Sequence, residues 1–279
     1  MTFSINTNVG AQIALQSLGV TSSQLAATEK QISTGYRVAD ATDDGAAYAV
    51  AQGVRATVGA LTSANQQLGN VNGLLTTTLT GLNSASNTIN DLNAVLVKLS
   101  DGNTQGSQRT QYQAQYNTDI SELKTQLNGA NYNGKTLIGN VGGAPAGVTF
   151  GRTAVVQDQI GTTYGIATFS GNSLYTSLNV TTFTSTAAQT FLTGTFARAL
   201  NTIGNQLNSY GASSNYVGSQ VSYNSDKIDA LNTGLGSLID ANLAQESAQL
   251  QALQIRQQLG TQALSLANQA PQTLLSLFK

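Results

Sequence analysis

One apolar position recurs every seven residues through the first half of the chain. Val54, Leu61, Leu68, Leu75, Leu82, Ile89 and Leu96 occupy it without a gap. Three residues after each stand Thr57, Ala64, Val71, Thr78, Ala85, Leu92 and Leu99. A seven-residue repeat with two inward positions is a coiled-coil seam. Sustained over about 45 residues, it predicts a helix of roughly 67 Å at 1.5 Å per residue. Such a helix is a rod, not an element of a compact core. The chain has two prolines, Pro145 and Pro271, so nothing interrupts helices on either side of the middle.

The same period returns later. Leu200, Leu207, Val221, Ile228 and Leu235 share a grid broken at Ser214, with Ile203, Tyr210, Val217, Leu231 and Leu238 three residues on. Between the two segments, Tyr112, Tyr116, Ile120, Leu123 and Leu127 share one helical face. "NGANYNG" (128–134) ends that helix, because Asn and Gly favour turns. At the start of the chain, Ala11, Leu18, Leu25 and Ile32 are seven apart, with Leu15 between and Gly35 as the stop. The last segment, about 239–269, carries Leu243, Leu250, Leu253, Leu259, Leu264 and Leu266 on nearly every side. A helix apolar most of the way round is buried most of the way round. The economical source of that cover is other copies of the chain.

The middle differs. "VTFGRTAVV" (148–156), "TTYGIATF" (162–169) and "SLYTSLNVTTFTS" (173–185) are rich in β-branched and aromatic residues and read as short strands and turns. The fold class is therefore mainly α: a long coiled-coil rod of paired N- and C-terminal segments, with a small β-rich insert at its tip. The insert begins and ends at that tip, which places both termini together at the other end.

Charge narrows the function. Charged residues make up 9% of the chain, against a typical ~25%. Residues 1–28, 56–90, 159–197 and 257–278 carry none. Polar uncharged residues fill these stretches, as expected of surfaces that meet other protein. Net charge is −1 with no basic run, so no nucleic-acid surface is expected. Histidine, cysteine and tryptophan are absent. Disulfides, thiol nucleophiles and the commonest general base are excluded, and no cofactor or metal is expected. No run approaches ~18 apolar residues, so no membrane insertion is expected, and the first residues lack the charged and apolar regions of a secretory leader.

One cluster resists this blandness. Arg37, Asp40, Asp43 and Asp44 fall within eight positions. "DATDDG" (40–45) has the first half of a calcium loop, but the twelfth position, which needs Glu, is Ala51. The simpler reading is a helix start, where aspartates cap the first turn and complement its dipole. Arg37 is expected to pair with an acid, in this segment or on a neighbouring copy. No Gly-rich phosphate loop exists, and "GLGS" (234–237) reads as a hinge within a helical heptad. Asn179-Val180-Thr181 is a sequon and makes Asn179 a candidate glycosylation site. Tyr112, Tyr116, Tyr210, Tyr216 and Tyr223, at helical spacings, read as core or interface.

Several stretches, in order, resemble bacterial flagellin. They are "SINTN" (4–8), "QISTGYRVADATDDGAAYAVA" (31–51), "YNGKTLIG" (132–139) and "DANLAQESAQLQALQIRQQLGTQALSLANQAPQTLLSLF" (240–278). The resemblance covers about 1–140 and 195–279, and the last stretch looks most like alphaproteobacterial members. It implies an inner terminal-helix domain from 1–40 and 240–279. An α-helical rod from 41–140 and 190–239 would surround it, with a short variable insert, 141–189, outside. It implies assembly contacts in the terminal helices: Ile5, Val9, Ile13, Leu15, Leu18, Leu25 and Ile32 at one end. At the other end they are Leu243, Leu250, Leu253, Leu259, Leu264, Leu266, Leu274, Leu275 and Phe278. Arg37, Asp40, Asp43 and Asp44 would form the connector between domains.

The function implied is a structural subunit that polymerises into the flagellar filament for swimming. The partners implied are many copies of itself, the export apparatus with its chaperone, and the filament cap and hook-associated proteins. The location implied is extracellular, reached without a cleaved leader. A hook–filament junction protein, with similar terminal helices, is the alternative; the ending "ANQAPQTLLSLFK" favours flagellin. A protease seated in the insert is a further rival, but the insert has no His, Cys or Glu. A secreted coiled-coil adhesin is the last. One departure stands out. Members that activate the innate flagellin receptor carry an Arg-Glu-Leu-type sequence on the long helix. "LNAVLVK" (92–98) has Asn93 and Ala94 instead, and the chain is expected to evade that receptor.

Overall fold

The computed structural model describes residues 7–139, 141–142 and 147–277, with side chains as far as 269. Seven α-helices dominate these described residues. They are α1 (Val9–Thr34), α2 (Gly45–Ser100), α3 (Gly106–Gly129), α4 (Gly171–Leu178), α5 (Ser185–Phe191), α6 (Ala197–Ile239) and α7 (Leu243–Leu277). Four short strands lie between α3 and α4: β1 (Lys135–Thr136), β2 (Thr149–Phe150), β3 (Thr153–Val156) and β4 (Thr163–Ile166). The mainly α class read from the heptads holds. The chain divides into two compact units, one of 1–56 with 230–279, the other of Thr57–Asp229.

In the Thr57–Asp229 unit the heptad row is the core. Leu61, Leu68, Leu75, Leu82, Ile89 and Leu96 are fully buried, with Ala64, Val71, Thr78, Ala85, Leu92 and Leu99 beside them. Buried Thr78 needs no outside partner, because its hydroxyl donates to the Leu74 carbonyl one turn back. Tyr116, Ile120, Leu123 and Leu127 of α3 join this core as their spacing predicts. On α6 the row through Ile203, Tyr210 and Val217 is buried, while Leu200, Leu207 and Val221 pack at its margin. The α6 seam is thus the row three residues after the one that carries most leucines. A π-helical turn, Leu192–Phe196, joins α5 to α6.

The insert is partly β, and partly not. β1 and β2 pair in parallel, and β3 and β4 form an antiparallel hairpin with Val155 opposite Tyr164. The strand expected at 173–185 is instead α4 followed by a short link. Ser170 caps it by accepting from the Ser173 amide, and Leu174 and Leu178, four apart, turn one face into the core. The β-branched composition there was a weaker signal than the cap and the i, i+4 leucines. The helix α6 runs through the "GLGS" hinge site and ends at Ile239.

Two polar anchors hold the insert to α6. The hairpin carbonyl of Gln157 accepts from Asn224 (2.9 Å) and Gln220 (3.2 Å). Asn224, fully buried, also donates to Asn65 of α2 at 2.9 Å. The Tyr210 hydroxyl reaches the carbonyls of Leu137 and Ala167, each at 3.2 Å, and burial pushes its pKa up to about 12. Tyr116 donates to the Leu178 carbonyl at 2.7 Å, and burial raises its pKa as well. At the C-terminal end of α2, the Arg109 guanidinium spans the carbonyls of Leu99, Asp101, Thr104 and Phe183. The Leu99 carbonyl is one that the helix end leaves open, and the others tie the turn after α2 and the Phe183 segment to it.

Candidate assembly interface

α1 and α7, both in the unit of 1–56 and 230–279, form an antiparallel pair. Asn8 caps α1 by accepting from the Ala11 amide at 3.0 Å, and its amide donates to the Ala267 carbonyl at 2.7 Å. Further along, Leu18 lies over Gly260; at the far end the Ala241 amide donates to the Gly35 carbonyl at 2.9 Å. Gly35, at φ 73°, ends α1 in the left-handed region, as its position predicted. Both helices keep a strict heptad across the contact. Ala11, Ala14, Leu18, Thr21, Leu25, Thr28 and Ile32 are the covered row of α1. Glu246, Leu250, Leu253, Gln257, Gly260, Leu264 and Ala267 are that of α7. Thr28 and Leu253 are buried; the others are half covered. The register set by Leu18 over Gly260 sets Leu25 against Leu253 and Ile32 against Glu246. One Glu246 carboxylate oxygen is buried with no hydrogen-bond partner, in the first turn of α7 where the helix dipole favours an acid.

Two helices cover only one seam. The candidate assembly residues therefore divide. Leu18, Leu25, Ile32, Leu250, Leu253 and Leu264 face the partner helix of the same chain. Val9, Ile13 (60% exposed), Leu15, Leu243, Leu259 and Leu266 (68% exposed) face outward. Val20, which directly precedes the seam residue Thr21, and Ile255, two places from Leu253 and Gln257, are comparably exposed and were missed from the sequence. Ile5 and Phe278 lie outside the described residues. Leu274 and Leu275 lie on α7, with side chains outside those described.

The connector is a knot of local bonds. Its backbone joins Tyr36 to Asp240 as an antiparallel bridge, and the Arg37 and Val38 amides donate to the Ile239 carbonyl. Beneath it, Val38, Ala47, Ala51 and Ile239 form a small buried cluster. The expected acid for Arg37 is replaced, within the chain, by the Leu238 carbonyl, to which its guanidinium donates. The cation that pairs is Lys30. Its ammonium stands 2.7 Å from both Asp40 and Asp43. Lys30 lies on the last turns of α1, so it reaches the connector across the turn that points Arg37 away. Bonds from Lys30, then from Thr42, hold Asp40 well below the usual carboxylate range, and Lys30 and the Ala39 amide lower Asp43. Lys30 is raised in return. Asp44 caps α2 by accepting from the Ala46 and Ala47 amides, each at 3.0 Å. Arg55 stacks over the Tyr36 ring at 5.8 Å.

Asn179 is exposed at the C-terminal end of α4, so the sequon is accessible. No helix among the described residues is long and apolar enough to cross a membrane.

The comparisons agree with the arrangement. The model of the bacterial flagellin N-terminal helical region matches residues 5–142, and that of the C-terminal helical region matches 194–278. The chain belongs to the bacterial flagellin family. Flagellin FljK of Caulobacter vibrioides is 36% identical over 282 residues, covering 99% of this chain and 98% of the relative. The flagellin of Brucella melitensis is 32% identical over 286 residues, covering 99% of each. These relatives place this flagellin in the alphaproteobacterial type. A crystal structure of Bacillus cereus flagellin shares the fold at a TM-score of 0.50 and 17% identity, over 57% of this chain and 88% of that one. The chain is a structural subunit of the flagellar filament, and with it of swimming motility. The relatives carry the flagellin name, not that of a hook-associated protein.

Proposed function

We propose that copies of this flagellin join through the outward faces of α1 and α7. One observation carries this reading: the α1–α7 pair leaves large side chains such as Ile13, Leu259 and Leu266 mostly in water. Exposed apolar rows that this chain cannot cover call for a neighbour. Each such side chain contributes roughly 1.5–3 kcal/mol when fully buried. Contacts of this kind repeat head to tail without closing, which makes a helical filament. In this reading 1–40 and 240–279 form the inner layer, 41–140 and 190–239 the rod, and 141–189 the outer insert. The role is structural and not enzymatic. The filament lies outside the cell and its subunits arrive through the flagellar export apparatus with a chaperone, under a cap and beyond the hook-associated proteins.

The test is polymerisation of purified protein seeded with filament fragments, followed by sedimentation and electron microscopy. Wild-type protein should form long tubes. Ile13→Asp and Leu266→Asp should each leave the helix content of the monomer unchanged and abolish tubes. Unimpaired assembly of both variants would sink the reading. Evasion of the innate receptor is part of the same proposal, because Asn93 and Ala94 stand where receptor-activating flagellins carry Arg and Glu. Purified monomer should be silent in a receptor-reporter cell line.

A further inference from the structure

The α1–α7 ribbon is almost free of charge, and the two exceptions on its edges oppose each other. In an antiparallel two-helix coil, the positions just after the second seam row of each helix (Ala14, Thr21 and Thr28 on α1; Glu246, Leu253, Gly260 and Ala267 on α7) share one edge. The positions just before the first row of each share the other. Glu29 directly follows the seam residue Thr28 and lies on the first edge. Arg256 directly precedes the seam residue Gln257 and lies on the second. Both are exposed, and neither makes an ion pair among the described residues, where both salt bridges belong to Lys30. No other charged residue stands on either edge of the described ribbon. The register set by Leu18 over Gly260 puts Glu29 and Arg256 one heptad apart along the ribbon, about 10 Å. Opposite edges and an axial offset prevent the two from meeting within one chain.

We infer that Glu29 of one copy pairs with Arg256 of the next, edge to edge, and that this pair sets the axial register between neighbouring ribbons. The inference rests on the assembly reading above and deepens it. Apolar rows made of Val, Ile and Leu supply attraction but tolerate sliding by a heptad. A single acid facing a single base on an otherwise neutral edge removes that freedom. Arg256 sits beside exposed Ile255, so its guanidinium is partly dried once the apolar face is covered, which strengthens the pair. The contact is heterologous: each copy offers a different edge to each of two neighbours, as an open polymer needs.

The experiment uses the full chain and charge reversals. E29R or R256E alone sets like charges together at every contact. Each should raise the critical concentration for seeded assembly at least about tenfold, with the monomer's circular dichroism unchanged. The double variant E29R/R256E should return to within about threefold of wild type. The sharpest arm mixes the two single variants in equal amounts. E29R offers only cations and R256E only acids, so two chains that fail alone should co-assemble as an alternating polymer. Single variants that assemble like wild type would overturn the inference, as would a mixture that stays unassembled. Either outcome, with wild type still polymerising and Ile13→Asp still blocked, would remove the ion pair and leave the apolar assembly reading standing.

Discussion

Leu18 of α1 occupies the space above Gly260 of α7: a β-carbon on Gly260 would stand 3.1 Å from its Cδ1. The missing side chain is what lets the two helices close at mid-seam, a large residue against none. Gly260→Val is therefore expected to force the pair apart there, since overpacking a fitted contact costs about 1–3 kcal/mol. Cross-linking between cysteines introduced at Ala11 and Ala267 should fall in Gly260→Val and persist in wild type.

Two glycines of α2 should respond in opposite directions. A β-carbon on Gly69 meets nothing within 4 Å, whereas one on Gly81 would lie 2.5 Å from the Ala130 β-carbon. Gly69→Ala gains helix propensity and should stabilise by up to about 1 kcal/mol. Gly81→Ala gains the same propensity but displaces the segment after α3, and a loss of about 1–2 kcal/mol is expected. Urea midpoints of the two variants should fall on either side of wild type.

Asn224 is a polar residue at a buried heptad position, and its amide joins Asn65 to the Gln157 carbonyl. Asn224→Ala removes the donor to the Asn65 oxygen and leaves the Gln157 carbonyl with Gln220 alone, at about 1–3 kcal/mol. The ring resonances of Tyr216, which donates to Gln157, should report release of the hairpin before global unfolding. An unchanged transition would mean that the hairpin is held without Asn224, by its apolar contacts and the remaining bonds from Gln220 and Tyr216.

The connector should weaken in acid. Asp40 and Asp43 have folded-state pKa values below their unfolded ones, so their contribution is complete above the unfolded value, near ~3.9. It is lost as pH falls through the lower, folded values. Lys30 is raised, so its share is present below the unfolded lysine value and is lost only as pH rises through the folded one. Amide resonances of Ala39 and Thr42, which donate to Asp43 and Asp40, should shift together below about pH 4 and stay constant through neutral pH. Salt should reduce the effect, since these groups are exposed. Asp43→Asn should remove the shift at Ala39 and keep part of that at Thr42.

Much of the helical frame was legible because a seven-residue period repeats a single physical demand, burial of one face. The row from Leu61 to Leu96 is buried to the last residue. Where two signals competed, composition misled. The segment 173–185 looked like a strand by its β-branched residues, but Ser170, Leu174 and Leu178 supply a cap and a face that decide for helix. On α6 the leucine-rich grid turned out marginal and the row of Ile203, Tyr210 and Val217 central. Aromatic bulk fills a core as well as leucine does, and counting leucines hides it.

The sequence by itself determined that long helices form, where α1 stops and α2 starts, and that too little charge exists to wet every face. Those are local properties, set by period, caps and composition. Only the tertiary structure decided what each face meets. Leu18 and Ile13 were both expected among the assembly contacts, yet one is covered by α7 and the other is left in water. Lys30, not Arg37, became the partner of the connector acids, because the αL turn at Gly35 swings the chain back past the end of α1. A helix pattern states which residues need cover; which partner supplies it depends on register and handedness across distant segments, and no single stretch of chain encodes that alone.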